Sequence, residues 1–124
     1  MPLEHLNVTV ADPRAAAETL CALFDWEIRW EGASIYDGLS VHVGDDASYL
    51  ALYSPRTPLA AAEDSYHAQR GLNHIGIVVR DLEETEARVK AAGYRPRSHA
   101  DYEPGRRFYF TGPDGIEFEA VQYD

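Results

Sequence analysis

Two histidines and one glutamate, His5, His74 and Glu119, carry the strongest chemical signal in the sequence. Two imidazoles and one carboxylate are the donor types that hold a divalent iron or manganese ion on one face, leaving positions open for substrate, water or oxygen. The histidines stand 69 residues apart, and a shift of that length lays HLNVTVADPRAAAETL over HIGIVVRDLEETEARV. It matches Val8 with Ile77, Val10 with Val79 and Asp12 with Asp81. The same offset lays Gly44-Asp45-Asp46 over Pro113-Asp114-Gly115, and Tyr49-Leu50-Ala51-Leu52 over Phe118-Glu119-Ala120-Val121. The histidines therefore open equivalent segments of an internal repeat, and the glutamate lies near the end of the second copy. The plainer alternative gives both histidines structural hydrogen bonds and leaves Glu119 at a solvated edge. Glu117 shares the strand parity of Glu119 and is a second ligand candidate, against a purely structural or solubilising role.

These side chains need elements to position them. Each module opens with alternation suited to a half-buried strand: Leu6, Val8 and Val10 oppose His5, Asn7 and Thr9, while Ile75, Ile77 and Val79 oppose His74, Gly76 and Val78. Asp12-Pro13 predicts a helix cap and first turn leading towards Leu20, Leu23 and Phe24. Asp81-Leu82-Glu83-Glu84 predicts a second helix with a stripe of Leu82, Thr85 and Val89, ended by Gly93. Three strands follow in each module, at Trp26 to Trp30, Leu39 to Val43 and Tyr49 to Tyr53, then at Tyr94 to Arg97, Arg107 to Thr111 and Ile116 to Tyr123. The expected architecture is α+β, a single domain of two βαβββ modules at 1–54 and 72–124 joined by a linker at 55–71. Two prolines interrupt the linker, with room for a short helix at Ala60 to His67.

Composition narrows the classes of function. The chain has 124 residues, enough for one modest core, with 45% hydrophobic and 26% charged residues as in a soluble globular protein. Eleven basic against twenty-one acidic residues give a formal charge of -10, unfavourable for nucleic acid or an anionic membrane. One cysteine, Cys21, excludes an internal disulfide framework and reads as a small buried helical residue. The opening MPLEHLNVTV lacks signal-peptide character, and no apolar run is long enough to span a bilayer, so a soluble cytoplasmic protein is expected.

The paired HLNVTVADP and NHIGIVVRDL segments, with RRFYFTGPDGIEFEA as a terminal hairpin, resemble the vicinal oxygen chelate superfamily over nearly the whole chain. That superfamily includes glyoxalase I, fosfomycin-resistance proteins, bleomycin-binding proteins and extradiol dioxygenases. The resemblance implies the glyoxalase/bleomycin resistance/dioxygenase-like fold and places His5, His74 and Glu119 on the recurrent metal ligands. It also implies a homodimer, in which exchange of modules would place His5 of one chain near His74 and Glu119 of the other, while the intervening segment equally accommodates pairing within one chain. Fe(II) is preferred as the metal, with Mn(II), Zn(II) and Ni(II) as alternatives. The repeat sets Leu50 against Glu119, and a one-residue slip gives Ala51, so the extra carboxylate of a glyoxalase I site is missing. The expected activity is that of a metal-dependent enzyme on a small oxygenated organic substrate, with ring-cleaving dioxygenase ranked first. A fosfomycin-resistance-like transferase, a glyoxalase-like enzyme and a metal-free small-molecule-binding resistance protein are the alternatives.

Other polar residues fill out the expected site. His42, His99 and Tyr102 are candidates for proton transfer, and His67 is a further titratable group in a connecting segment. Asn7 and Thr9 share the strand face of His5 and are placed to orient a substrate. The stretch YRPRSHADYEPGRRFYF is locally basic, and within it Arg107 and Tyr109 are candidate substrate contacts. Trp26 and Trp30 read as packing residues whose shared parity also permits an aromatic wall.

Overall fold

A computed structural model describes residues 1–102 and 105–123. The chain forms two compact units, Met1–Ala60 and Ala61–Asp124. Unit 1 contains β1 (His5–Thr9), α1 (Pro13–Phe24), β2 (Glu27–Ser34), β3 (Gly38–Gly44) and β4 (Tyr49–Ser54). Unit 2 contains β5 (Ile75–Val78), α2 (Leu82–Ala91), β6 (Arg97–Tyr102), β7 (Gly105–Thr111) and β8 (Glu117–Tyr123). Each unit is a four-stranded sheet with the same order, β1-β4-β3-β2 and β5-β8-β7-β6. The first strand of each is parallel to the last and the others are antiparallel. The α+β fold of two βαβββ modules is therefore present, and the connection from first strand to helix is what makes the parallel pair possible.

Local chemistry explains the helix starts. Asp12 accepts a hydrogen bond from the Ala15 amide at 3.1 Å, with Pro13 preset for the first turn, and Asp81 accepts from the Glu84 amide at 3.0 Å. Glu84 does not reach back to complete a capping box; it pairs with Arg88 one turn later at 2.9 Å. Helix α2 buries Leu82, Thr85 and Val89, and Gly93 takes the left-handed conformation (φ +94°) just beyond its end. Helix α1 lies across β2, β3 and β4, burying Ala16, Ala17, Leu20 and Leu23 against Val41, Val43 and Leu52.

Three expected elements differ. Strand β2 runs on to Ser34 because Tyr36 and Asp37 adopt positive φ (56° and 52°), closing a tight hairpin with the Gly38 amide on the Ile35 carbonyl. The strand expected at Tyr94 to Arg97 instead begins at Arg97, since Pro96 has no amide to give to a ladder. No helix forms over Ala60 to His67; residues 65–70 make turns, with Asp64 accepting from the Tyr66 amide at 3.0 Å. No helix among the described residues is long and apolar enough to cross a membrane.

Candidate functional site

Unit 2 brings together the denser set of reactive side chains. Gly76 on β5 lies opposite Glu119 on β8, Tyr109 on β7 lies opposite Glu119, and Arg97 on β6 lies opposite Tyr109. These residues share one face with His74, Glu117 and Arg107, while the intervening Phe108, Phe110 and Phe118 turn into the core. His74 Nε2 lies 3.2 Å from Glu119 Oε2. Two donors bound to one divalent ion at about 2.1 Å, roughly 90–100° apart, are separated by about 3.0–3.2 Å, so the pair fits adjacent ligand positions. Arg107 Nη1 donates to the other oxygen, Glu119 Oε1, at 2.7 Å, which leaves Oε2 turned to His74.

Both members of the Arg107 and Glu119 pair are about nine-tenths buried, and the guanidinium is satisfied on its remaining side by the carbonyls of Gly105 and Tyr102. The Tyr102 ring lies 4.4 Å from the guanidinium carbon. Arg107, expected to contact substrate, is thus engaged in fixing Glu119. Tyr109 presents its ring edge-on to His74 at 5.7 Å; burial, reinforced by the Glu119 charge, pushes its phenol up, so it stays a hydrogen-bond donor at neutral pH. Glu117 accepts from Arg97 at 2.9 Å and from the Tyr66 hydroxyl at 2.8 Å, and its Oε1 lies 3.8 Å from His74 Nδ1. Tyr66 did not stand out in the sequence, because its contact spans 51 residues; Arg97 lies in the locally basic stretch, and the fold supplies its partner, Glu117.

Unit 1 carries the equivalent face. His5, Asn7 and Thr9 lie opposite Tyr49, Ala51 and Tyr53, and Ala51 faces His42, which faces Trp30. Rings cross the sheet as a ladder: His5 stacks on Tyr49 at 4.9 Å, Tyr49 on His42 at 4.5 Å, and His42 meets Trp30 at 4.9 Å. His5 Nδ1 pairs with Glu4 Oε1 at 2.8 Å, leaving Nε2 as the outer nitrogen. Register corrects the internal alignment: Asn7 faces Ala51 as Gly76 faces Glu119, so Ala51, not Leu50, is the unit 1 counterpart of Glu119. Leu50 is buried in the core. Neither residue can ligate a metal.

His99 sits on the opposite side of sheet 2 from Glu119. Its ring stacks on Phe108 and its Nε2 contacts Glu86 of α2, so nothing there supports a role beside His74. His67 pairs with Asp64 at 2.6 Å in the connecting turns. Among the described residues, no group of three or more His, Cys, Asp or Glu side chains stands together as a metal-binding cluster.

Burial, with smaller contributions from His5 and Arg29, pushes His42 below its ordinary pKa of 6.5. The unfolded chain then binds a proton more readily than the fold, so this contribution to stability is complete above pH 6.5 and lost as pH falls below it. His42→Phe, which keeps a ring on Tyr49, is expected to flatten that part of the acid-side loss in urea midpoints measured across pH. Equal slopes in both proteins would reject it.

The sequence matches the family model for the Glyoxalase/Bleomycin resistance protein/Dioxygenase superfamily over residues 3–120. Among solved structures, the chain is similar to a glyoxylase/bleomycin resistance protein/dioxygenase domain from Frankia sp. EAN1pec, with 20% identity, coverage of 100% of this chain and 98% of that one, and a TM-score of 0.83. A fosfomycin resistance protein, FosX, from Listeria monocytogenes, solved with Mn(II) and 1S,2S-dihydroxypropylphosphonic acid, is 17% identical over 98% of this chain and 92% of that one, TM-score 0.71. A glyoxalase I variant from Zea mays is 15% identical over 98% of this chain and 46% of that one, TM-score 0.77. No curated protein sequence matches significantly. With two βαβββ units in the fold and the family model covering nearly its whole length, the chain belongs to the Glyoxalase/Bleomycin resistance protein/Dioxygenase superfamily.

Proposed function

We propose that the protein is a metal-dependent enzyme of this superfamily acting on a small oxygenated organic substrate, with His5, His74 and Glu119 as the metal ligands. The observation that carries this reading is the 3.2 Å approach of His74 Nε2 to Glu119 Oε2, with Arg107 holding the other carboxylate oxygen. His5 is the third ligand, contributed across an exchanged homodimer. Fe(II) is the first metal to test and Mn(II) the second, the latter because FosX binds it. When bound, the ion polarises substrate oxygens as a Lewis acid.

The chain's own residues then have separable tasks. Arg107 holds Glu119 by one oxygen, presenting Oε2. Tyr109 donates its phenolic hydrogen to a substrate oxygen. His42, held neutral, accepts a proton, and Asn7 and Thr9 orient the polar end of the substrate from the open face of sheet 1. Tyr102, packed on Arg107, lines the same face as Glu119.

Anaerobic loading followed by metal analysis is expected to give one tightly held divalent ion per His74 and Glu119 pair. Iron-loaded protein is then offered catechols under oxygen, and manganese-loaded protein is offered fosfomycin with a thiol. Ring-cleavage product in the first arm supports the dioxygenase reading, and fosfomycin consumption in the second favours the resistance-type reaction. A protein that binds neither metal would overturn the metal-dependent reading and leave small-molecule binding. Solution mass tests the dimer: a monomer with full metal affinity removes the exchanged His5.

A further inference from the structure

Each histidine has a carboxylate on its Nδ1 side, supplied by a different residue. In unit 1, Glu4 precedes His5 and takes its Nδ1 at 2.8 Å, so that Nε2 faces outward. The residue before His74 is Asn73, which has no carboxylate and turns its amide to the Ser65 carbonyl at 2.9 Å. A different carboxylate stands on the Nδ1 side of His74, namely Glu117, 3.8 Å away, while Nε2 faces Glu119. Register makes the substitution legible: His5 faces Tyr49 on the neighbouring strand, and Glu117 occupies the position in unit 2 that Tyr49 occupies in unit 1. In unit 1 the histidine pairs with a preceding glutamate and a stacked ring; in unit 2 a cross-strand carboxylate stands beside it at ion-pair distance.

A surface carboxylate is a poor anchor unless it is itself held. Glu117 is held from two sides, by Arg97 on Oε2 at 2.9 Å and by the Tyr66 hydroxyl on Oε1 at 2.8 Å. Tyr66 is supplied by the connecting segment, which folds back on itself through the Asn73 and Asp64 hydrogen bonds. A Cβ at Gly71 would lie 2.2 Å from the Ser65 carbonyl oxygen, so the turn depends on a residue without a side chain there.

Building on the proposed metal site, we infer that Glu117 is a positioning residue for His74, and that Tyr66 and Arg97 fix Glu117 in that role, making the connecting segment part of the site. Such outer partners set ring orientation and ligand basicity, and their loss weakens metal binding without removing a ligand. The arrangement also explains why two carboxylates lie on one strand face: Glu119 offers an oxygen to the ion, whereas Glu117 acts through the imidazole.

The test is Mn(II) affinity of the full-length protein, read from the paramagnetic resonance of free Mn(II), together with the visible spectrum of the Co(II)-loaded protein. Glu117→Gln is expected to weaken Mn(II) binding by about 10-fold or more and to shift the Co(II) bands, with Tyr66→Phe changing both in the same direction by less. Glu117→Asp, which restores the charge, is expected to recover part of the affinity. Unchanged affinity and spectrum in folded Glu117→Gln would overturn the inference while leaving the metal site standing. Absence of Mn(II) and Co(II) binding in the parent protein would overturn both.

Discussion

Phe118→Ala is expected to lower unfolding free energy by about 3–5 kcal/mol, a large part of the roughly 5–15 kcal/mol available to a small domain. Phe118 is fully buried, stacks on Phe110 with centroids 5.3 Å apart, and lies on β8 between Glu117 and Glu119. Phe108 and Phe110 of β7 continue the row, with Tyr94 against Phe110 at 6.0 Å. Truncation removes the ring's transfer free energy and leaves a cavity that rigid aromatic neighbours fill poorly. Gly112, at the turn before β8, sits so close to the ring that a Cβ there would approach it at 2.9 Å, so the turn and the core are packed as one piece. Urea unfolding should show a lower midpoint with little change in slope. An unchanged midpoint would mean that the core of unit 2 does not depend on this ring. The consequence for function follows from alternation along the strand: the residue that seals the core has on either side the two glutamates that shape the site.

The same alternation explains what could be read before the fold was known. The strand start at His5, helix caps at Asp12 and Asp81, and the turn before Glu119 rest on local chemistry and are found where it puts them, while β5 begins one residue after His74, at Ile75. Register rests on something else. Asn7 and its partner Ala51 are 44 residues apart, whereas Gly76 and its partner Glu119 are 43 apart, so unit 2 is one residue shorter between its first and last strands, which moves the counterpart of Glu119 from Leu50 to Ala51. A one-residue slip moves a side chain to the other face, so a constant offset set a core leucine against a polar site residue. His99 falls on the other face of its sheet for a related reason. The ladder slips between Arg97 and Ala100, with Ser98 at positive φ, and the slip turns His99 towards α2. Tyr66 with Glu117 and Arg107 with Glu119 are partners chosen by packing, which no local pattern encodes.

The largest functional effect is expected from replacing the three donors together. His5→Ala, His74→Ala and Glu119→Ala in one chain should weaken divalent-metal binding by more than about 100-fold, since loss of even an outer partner costs about 10–100-fold. Leu50→Ala is the informative control. Leu50 is 6% exposed and packs in the core, so its truncation should cost about 2–5 kcal/mol of stability while leaving metal affinity at the parent value. That contrast separates damage to the fold from loss of donors. Iron and manganese should both be titrated, because two imidazoles and one carboxylate suit either ion. Equal affinity in the folded triple variant and the parent would reject the proposed ligands altogether. The single variants then divide the site. His74→Ala and Glu119→Ala should each abolish tight binding, because those donors already stand at ligand spacing. His5→Ala reads the contribution of the other unit: a loss comparable to His74→Ala supports a third ligand from sheet 1, whereas full retention confines binding to unit 2 and removes His5 from the coordination sphere.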